Sequence, residues 1–452
     1  MAARLIESLA TTEPLAEVFS DVSILQAMLD FEVALARAEA RVGIVPKSAA
    51  DRVAAAAHAG KFDMGALSQG MFRAGTPGIP LVKALTEKVR AADPEAAGWV
   101  HWGATSQDVA DTALVLLLKR AKVVVSHDLK RLEKALIALS EKHNATVMLG
   151  RTLMQAAPPV TFGLKVAGWM GALSRSSKRL ESAFDEALVL QFGGASGTLA
   201  SLGDKGTVVA HALAEELGLR CPDAPWHTHR DRLANLVCCC GVLTGSLGKM
   251  ARDISLLMQS DVSEAAEPGG EGRGGSSTMP HKRNPTACAL TLAAAERIPG
   301  LVANFLSAML QEHERAVGGW QSEWPAIASV VESTGVAASS MAEVAEGLSV
   351  DAARMRQNIA NTRGLIFAER AMMLLAAELG RDVAYKLLED ATQKSIAQNK
   401  DLVAVLADLP DVSSRLNRSV LDQLAVPEQY LGSAEAFRVA LLKATASNKR
   451  EQ

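Results

Sequence analysis

The sequence predicts an all-α fold, and three observations carry that prediction. Apolar residues make up 49% of the 452 positions but aromatics only 4%, so the core must be built from Ala, Leu and Val, a mix that favours helices over sheets. Proline is absent between Pro94 and Pro158, Pro159 and Pro222, Pro225 and Pro268, and Pro325 and Pro410. Each of those gaps carries Leu- and Ala-rich helical periodicity. Nothing alternates at period two for long, which leaves no place for a major sheet.

Taken in order, Ser20–Val42 reads as an amphipathic helix with Leu25, Met28, Leu29, Phe31 and Leu35 on one face. Shorter helices follow at Lys47–Ala59 and Ile79–Ala91, with the glycine-bearing segment Met71–Gly78 between them. A rod at Asp111–His143 repeats leucine and valine at helical spacing and exceeds ordinary globular helix length, which points to a bundle. Further rods are expected at about Thr161–Val189, Arg230–Glu264, Thr286–Gln311 and Pro325–Leu348. After Val350 the helices shorten. The expected division is therefore an N-terminal helical domain (1–110), a central long-helix bundle (111–360) and a C-terminal helical domain (361–452).

Whole-chain bounds exclude several function classes. A net charge of −3 gives no reason to expect nucleic acid or an anionic membrane as partner. No apolar run reaches membrane-spanning length, and Met1–Leu5 lacks a signal-peptide pattern, so a cytoplasmic location is expected. Five cysteines, three of them consecutive at 238–240, form no sensible disulfide framework.

The chemistry is expected in the polar stretches that interrupt the rods. In His101-Trp102-Gly103-Ala104-Thr105-Ser106-Gln107-Asp108 the hydroxyls stand at a helix start. Capping is their default role, and a helix N-terminus equally suits a bound carboxylate. Arg151 and Gln155 in Gly150–Gln155 either contact a polar ligand or tie the loop down. Gly193–Thr198 is glycine-rich but follows a helix rather than a strand, so it is no dinucleotide fingerprint. His227 and His229 have no third ligand at convincing spacing, and neither a metal nor a cofactor is expected. Glu312-His313-Glu314-Arg315 lacks the second histidine of a zinc-protease helix. The longest interruption, Glu267–Pro285, is dominated by glycine and holds two serines, Thr278, Lys282 and Asn284. Glycine-rich backbone exposes N–H groups, and with an ammonium nearby these can hold a carboxylate or activate a serine hydroxyl.

Gly275-Ser276-Ser277-Thr278-Met279-Pro280-His281-Lys282-Arg283-Asn284-Pro285 matches every fixed position of G-S-S-x-M-P-x-K-x-N-P, and on this loop the chain resembles the fumarase/aspartase superfamily. His101–Asp108 and Gly193–Gly203 are similar to two further regions of that family. The resemblance implies a mostly helical three-domain subunit whose rods assemble into a homotetramer with active sites shared among subunits. It implies that Ser276 is the proton-transferring residue, that Lys282 and Asn284 neutralise the carboxylate that gathers charge, and that Thr105 and Ser106 hold another substrate carboxylate. His101, Arg151, Gln155, His227, Arg230 and Arg315 are further candidate anion contacts. Many members carry a histidine in a G-R-T-H stretch where this chain has Leu153, and another histidine of the purine enzyme has no counterpart around Gly75–Val82. An amine leaving group is hard to expel without an acid, whereas a carboxylate needs less help.

That difference points to the superfamily's lactonising branch, which closes 3-carboxy-cis,cis-muconate by adding a substrate carboxylate to its own diene. Leu81–Leu85, Leu190–Gly197, Pro225–Thr228 and Gln311–Arg315 with Trp320, Glu323 and Trp324 are similar to that branch. The implied partner is a small polycarboxylate. Relatives often have Trp at the Leu153 position and His at the Ala156 position. A wider pocket wall at Leu153 suggests a bulkier anion, such as the sulfonate of 3-sulfomuconate. An adenylosuccinate- or argininosuccinate-type lyase, or a helical protein without catalysis, are the alternatives.

Overall fold

The computed structural model describes residues 5–270, 274, 275, 278, 279 and 281–447. Five rods dominate it: Ser106–Lys142, Phe162–Ala187, Asp231–Leu257, Thr286–Ala308 and Gly319–Gly347. Among the described residues β-structure is limited to two small antiparallel two-stranded sheets and an isolated bridge, so the helical class is as the sequence predicts. The chain divides into two compact units, residues 1–130, 175–248 and 290–340 in one, and 131–174, 249–289 and 341–452 in the other. Every rod contributes residues to both.

In the first unit, helix Asp21–Val42 starts where Ser20 accepts a hydrogen bond from the Ser23 N–H and ends where Gly43 turns left-handed (φ 76°). Its expected apolar face is fully buried: Leu25, Met28, Leu29, Phe31 and Leu35 are at most 2% exposed. That face packs against helix Gly206–Leu217. The helices expected at Lys47–Ala59 and Ile79–Ala91 are found at Lys47–Ala56 and Gly78–Ala92. The segment read as a connection at 71–78 is in part helical, because a helix runs from Met64 to Ala74. Asp63 caps its start and Gly75 (φ 63°) ends it. Gly70, which weakens the helical signal, is there for packing: a Cβ at that position would lie 2.8 Å from Pro80 Cβ.

In the second unit, Val147–Thr152 pairs with Gln155–Thr161 in a hairpin that the sequence reading missed. The register shifts at Leu149/Gly150, and Pro158 and Pro159 sit opposite this irregularity, where a strand tolerates them. Gly150 is required, since a Cβ would lie 2.3 Å from the Pro158 carbonyl oxygen. The shorter helices after residue 350 bury Leu375, Leu388, Leu402, Leu406 and Leu421 in a core of their own.

Two rod readings need correction. The last rod begins at Gly319, six residues before Pro325, which lies inside it; Pro299 likewise lies inside its rod. A proline inside a helix forfeits one backbone bond. The first turns of the last rod are anchored by tertiary contacts that offset this: Trp320 is buried, Glu323 pairs with Arg230, and Trp320 and Trp324 stack edge to face at 4.5 Å. Second, Asp231–Leu257 and Thr286–Ala308 are long and apolar enough, by length and composition alone, to cross a membrane. Ala- and Leu-rich bundle helices reach that average hydropathy with scattered polar residues, so a search for uninterrupted apolar runs overlooks them.

Candidate active site

The predicted site residues fall into the two units, and each set has its own geometry. In the second unit, the described part of the signature loop borders a cavity of about 250 Å³ lined by Glu267, Gly274, Gly275, Lys282 and Asn284. The loop's exit is fixed by backbone bonds. The Asn284 N–H donates to the Gly274 carbonyl at 2.8 Å, and the Lys282 N–H donates to the Met279 carbonyl at 3.0 Å. Gly274 adopts φ 63°, and a Cβ there would lie 2.7 Å from the Asn284 oxygen, so only glycine fits. Glu267, buried, accepts from the Ala287 and Cys288 N–H groups at 3.1 and 2.8 Å and so caps the rod that begins at Thr286. Burial, and then Glu267 itself, push the Cys288 thiol upward, which keeps it neutral. With the Glu267 carboxylate occupied in this way, Lys282 and Arg283 leave the cavity rim positive and suited to an anion. Ser276, Ser277 and Pro280 lie outside the described residues.

Arg151, in the hairpin, makes a bidentate pair with the buried Glu264 (2.9 and 2.7 Å), and Asn358 donates to the same carboxylate. This is the tying-down geometry that its sequence position allows. Leu153 and Met154 form the two-residue hairpin tip, 96% and 73% exposed and both left-handed (φ 49° and 66°). Gln155 pairs with Thr152 across the same turn.

In the first unit, the 101–108 turn is organised by Asp108, fully buried. Its Oδ2 accepts from the Thr105 N–H (3.1 Å) and the Gly194 N–H (2.9 Å). Its Oδ1 accepts from the Gly193 N–H (3.0 Å), Gln191 Nε2 (3.1 Å) and His227 Nε2 (2.8 Å). The bond back to Thr105 is half of a capping box, since Asp108 stands at the third position of the rod. The same carboxylate thus starts the first rod, binds the glycine-rich loop and fixes His227 with its proton on Nε2. Ser106 opens the rod packed against Gly78, where a Cβ would lie 2.5 Å from Ser106 Cβ.

Behind Asp108 lies a second buried cluster. Arg230, 1% exposed, donates to Asp111 and Glu323 through all three guanidinium nitrogens and stacks over the Trp226 ring at 4.8 Å. Its pKa is raised, because the two carboxylates outweigh burial. Burial pushes Glu323 up to about 7 in spite of Arg230. Arg230 is therefore occupied inside the core and offers no donor to a bound anion. Gln107 bonds Asp111 and the His227 carbonyl, and Trp320 Nε1 bonds Asp111. Arg315 donates to Gln107 Oε1 and to the Gly194 and Ala195 carbonyls, fastening the 309–318 connection to the glycine-rich loop. At the front of the turn, His101 Nδ1 lies 2.7 Å from Glu32 Oε1.

Glu32, Glu267 and the hub role of Asp108 were not anticipated from sequence. Two signals were available. Thr-Ser-Gln-Asp before an apolar run is a capping-box pattern, and Glu32 and Glu39 interrupt the apolar stripe of the first helix at helical spacing. Among the described residues no group of three or more His, Cys, Asp or Glu side chains is arranged to hold a metal ion.

Residues 7–300 match the lyase family, and residues 364–439 match the adenylosuccinate lyase C-terminus. The chain is 49% identical to the 3-carboxy-cis,cis-muconate cycloisomerase of Pseudomonas aeruginosa over 96% of its own length and 95% of that protein's. It is also 49% identical to the enzyme of that name from Bradyrhizobium diazoefficiens, over 93% of this chain and 94% of that one. The crystal structure of the 3-carboxy-cis,cis-muconate lactonizing enzyme from Pseudomonas putida superposes with a TM-score of 0.93 at 46% identity, covering 98% and 99% of the two chains. With the signature loop at 275–285 and this identity over nearly the whole length, the chain belongs to the lyase family of the fumarase/aspartase superfamily.

Proposed function

We propose that the protein is a cycloisomerase that lactonises 3-carboxy-cis,cis-muconate to 4-carboxymuconolactone. The observation that carries this reading is the 49% identity, over 96% of the chain, to a cycloisomerase of that substrate. In the proposed reaction a substrate carboxylate oxygen adds to one carbon of the diene. The double-bond electrons move to the neighbouring carbon, beside the carboxylate that gathers charge, and Ser276 delivers the proton there. Lys282 and Asn284, on the cavity wall, neutralise the enolate-like intermediate. Thr105, Ser106 and His101 contact another carboxylate, supported by the N-terminus of the 106–142 rod. Nucleophile and electrophile are in one molecule, so orientation and charge supply the catalysis and no metal is called for.

His227, Arg315, Arg151 and Gln155 complete the proposed set. The first three act through the protein contacts described above, and Gln155 together with Leu153 acts from the hairpin tip. We also read the enzyme as a cytoplasmic homotetramer, with a central domain at 111–360 flanked by domains at 1–110 and 361–452. Support for assembly comes from the Thr286–Ala308 rod, which leaves Leu306 44% exposed in a single chain.

The test is the near-ultraviolet absorbance of 3-carboxy-cis,cis-muconate mixed with purified protein and EDTA. Rapid loss of the diene signal, abolished in Ser276→Ala, is expected. Persistence of that signal with the wild-type protein overturns the reading, and adenylosuccinate and 3-sulfomuconate are then assayed.

A further inference from the structure

The apolar stripe of helix Asp21–Val42 carries two carboxyl groups that the reaction above does not use. Glu32 and Glu39 are 1% and 0% exposed. Among the described residues Glu32 Oε2 and both oxygens of Glu39 have no hydrogen-bond partner. Burial, and then the charge of Glu32, push Glu39 up to about 9, so Glu39 holds a proton at neutral pH. Glu32 Oε1 is 2.7 Å from His101 Nδ1.

A carboxylate only accepts, so Nδ1 carries a proton and the ring's free choice is at Nε2. Among the described residues Nε2 has no protein partner, and the side chain keeps 16% of its exposure. The backbone delivers the ring in this orientation through a left-handed conformation at His101 (φ 59°), costly for a non-glycine residue, followed by Gly103 (φ 71°). Three groups bear on the ring's charge: Glu32 from the first helix, Asp108 from the first rod, and Glu39, which acts only through Glu32. Burial opposes a charged ring, but Glu32 and, less strongly, Asp108 outweigh it and hold the pKa above the ordinary histidine value.

We propose that Glu32 is a positioning residue that keeps His101 an imidazolium with its Nε2–H turned outward, as the cationic contact for a substrate carboxylate at the 101–106 turn. The proposal rests on the reading that this turn binds substrate. Its sign in pH is fixed. The ring is charged below its raised pKa, so carboxylate binding weakens as pH rises through that pKa. Removing the Glu32 charge moves the loss to lower pH.

The full-length protein, Glu32→Gln and His101→Gln test this in two independent ways. Histidine-labelled NMR, with His101→Gln assigning the signal, follows the titration of His101. It should occur above the ordinary histidine pH in the wild type and at lower pH in Glu32→Gln. Tricarballylate, used as a tricarboxylate probe at pH 7.5, should perturb that signal in the wild type far more than in the variant. Steady-state kinetics should show KM raised about tenfold in Glu32→Gln at the same pH, the loss of one charge-assisted hydrogen bond, with kcat within about twofold. The gap should close toward pH 6, whereas His101→Gln keeps the high KM at every pH. A wild-type His101 that titrates at or below the ordinary value overturns the proposal without any variant. A shifted titration with unchanged KM and unchanged tricarballylate response also overturns it, leaving the pair purely structural. If the wild type does not turn over 3-carboxy-cis,cis-muconate, the proposed reaction fails, while the titration and the tricarballylate response still decide the role of Glu32.

Discussion

Asp108 shows how one buried side chain serves several structural demands. It accepts from three backbone N–H groups, one amide and one imidazole, all from residues in or next to the stretches that interrupt the rods. Truncation leaves those donors without partners in a dry site, where each uncompensated group is costly. Asp108→Ala is expected to destabilise the protein by about 3–5 kcal/mol, the range for breaking a buried charged pair, as read by urea unfolding. Asp108→Asn retains an acceptor and should lose less. If Asp108→Ala unfolds at the wild-type urea midpoint, the carboxylate is not the hub. The same accounting separates Arg230 from Lys282. Arg230 is enclosed by carboxylates that neutralise it, whereas Lys282 is exposed at a cavity. Their charge in the sequence is identical; their partners differ.

At the scale of elements, the hairpin 147–161 carries a tension that its residues do not resolve locally. A two-residue turn with positive φ at both positions favours Asn-Gly, yet Leu153 and Met154 occupy it and face solvent. Left-handed backbone costs an L-residue about 1–2 kcal/mol. The double substitution Leu153→Asn with Met154→Gly is therefore expected to raise stability by about 1–2 kcal/mol in chemical denaturation. If the tip contacts substrate in the assembled enzyme, the same variant raises KM. Lower stability in the variant would show that the apolar tip is held by contacts a single chain does not contain. The rods carry less tension: Ala- and Leu-rich spans give helices of 23 to 37 residues, and only two of the five enclose a proline, Pro299 and Pro325.

For the whole molecule, the exposed apolar rod sets the expectation. Leu306, on Thr286–Ala308, is 44% exposed in the isolated chain, and burial of such side chains contributes about 25 cal/mol per Å². Sedimentation should find a particle of four chains, and Leu306→Asp should shift it toward smaller species. A wild-type protein that sediments as a monomer at micromolar concentration would sink the tetramer.

The sequence by itself determined the helical class, the five rods to within a few residues at most ends, the buried face of the first helix and the signature loop. These are local properties: helical periodicity, proline spacing and a contiguous motif depend only on near neighbours in the chain. It also located the stretches between rods where polar residues gather. The tertiary structure alone decided what those residues do. Glu32 and His101 are 69 positions apart, Asp108 and His227 are 119 apart, and Arg151 and Glu264 are 113 apart. Whether a charge is a ligand contact or half of an ion pair depends on what folding places beside it, and no local pattern encodes that. The hairpin and the 64–74 helix escaped for a related reason. Gly150 and Gly70 weaken a local strand or helix pattern, and each is small because another segment passes within 3 Å of where its side chain would be.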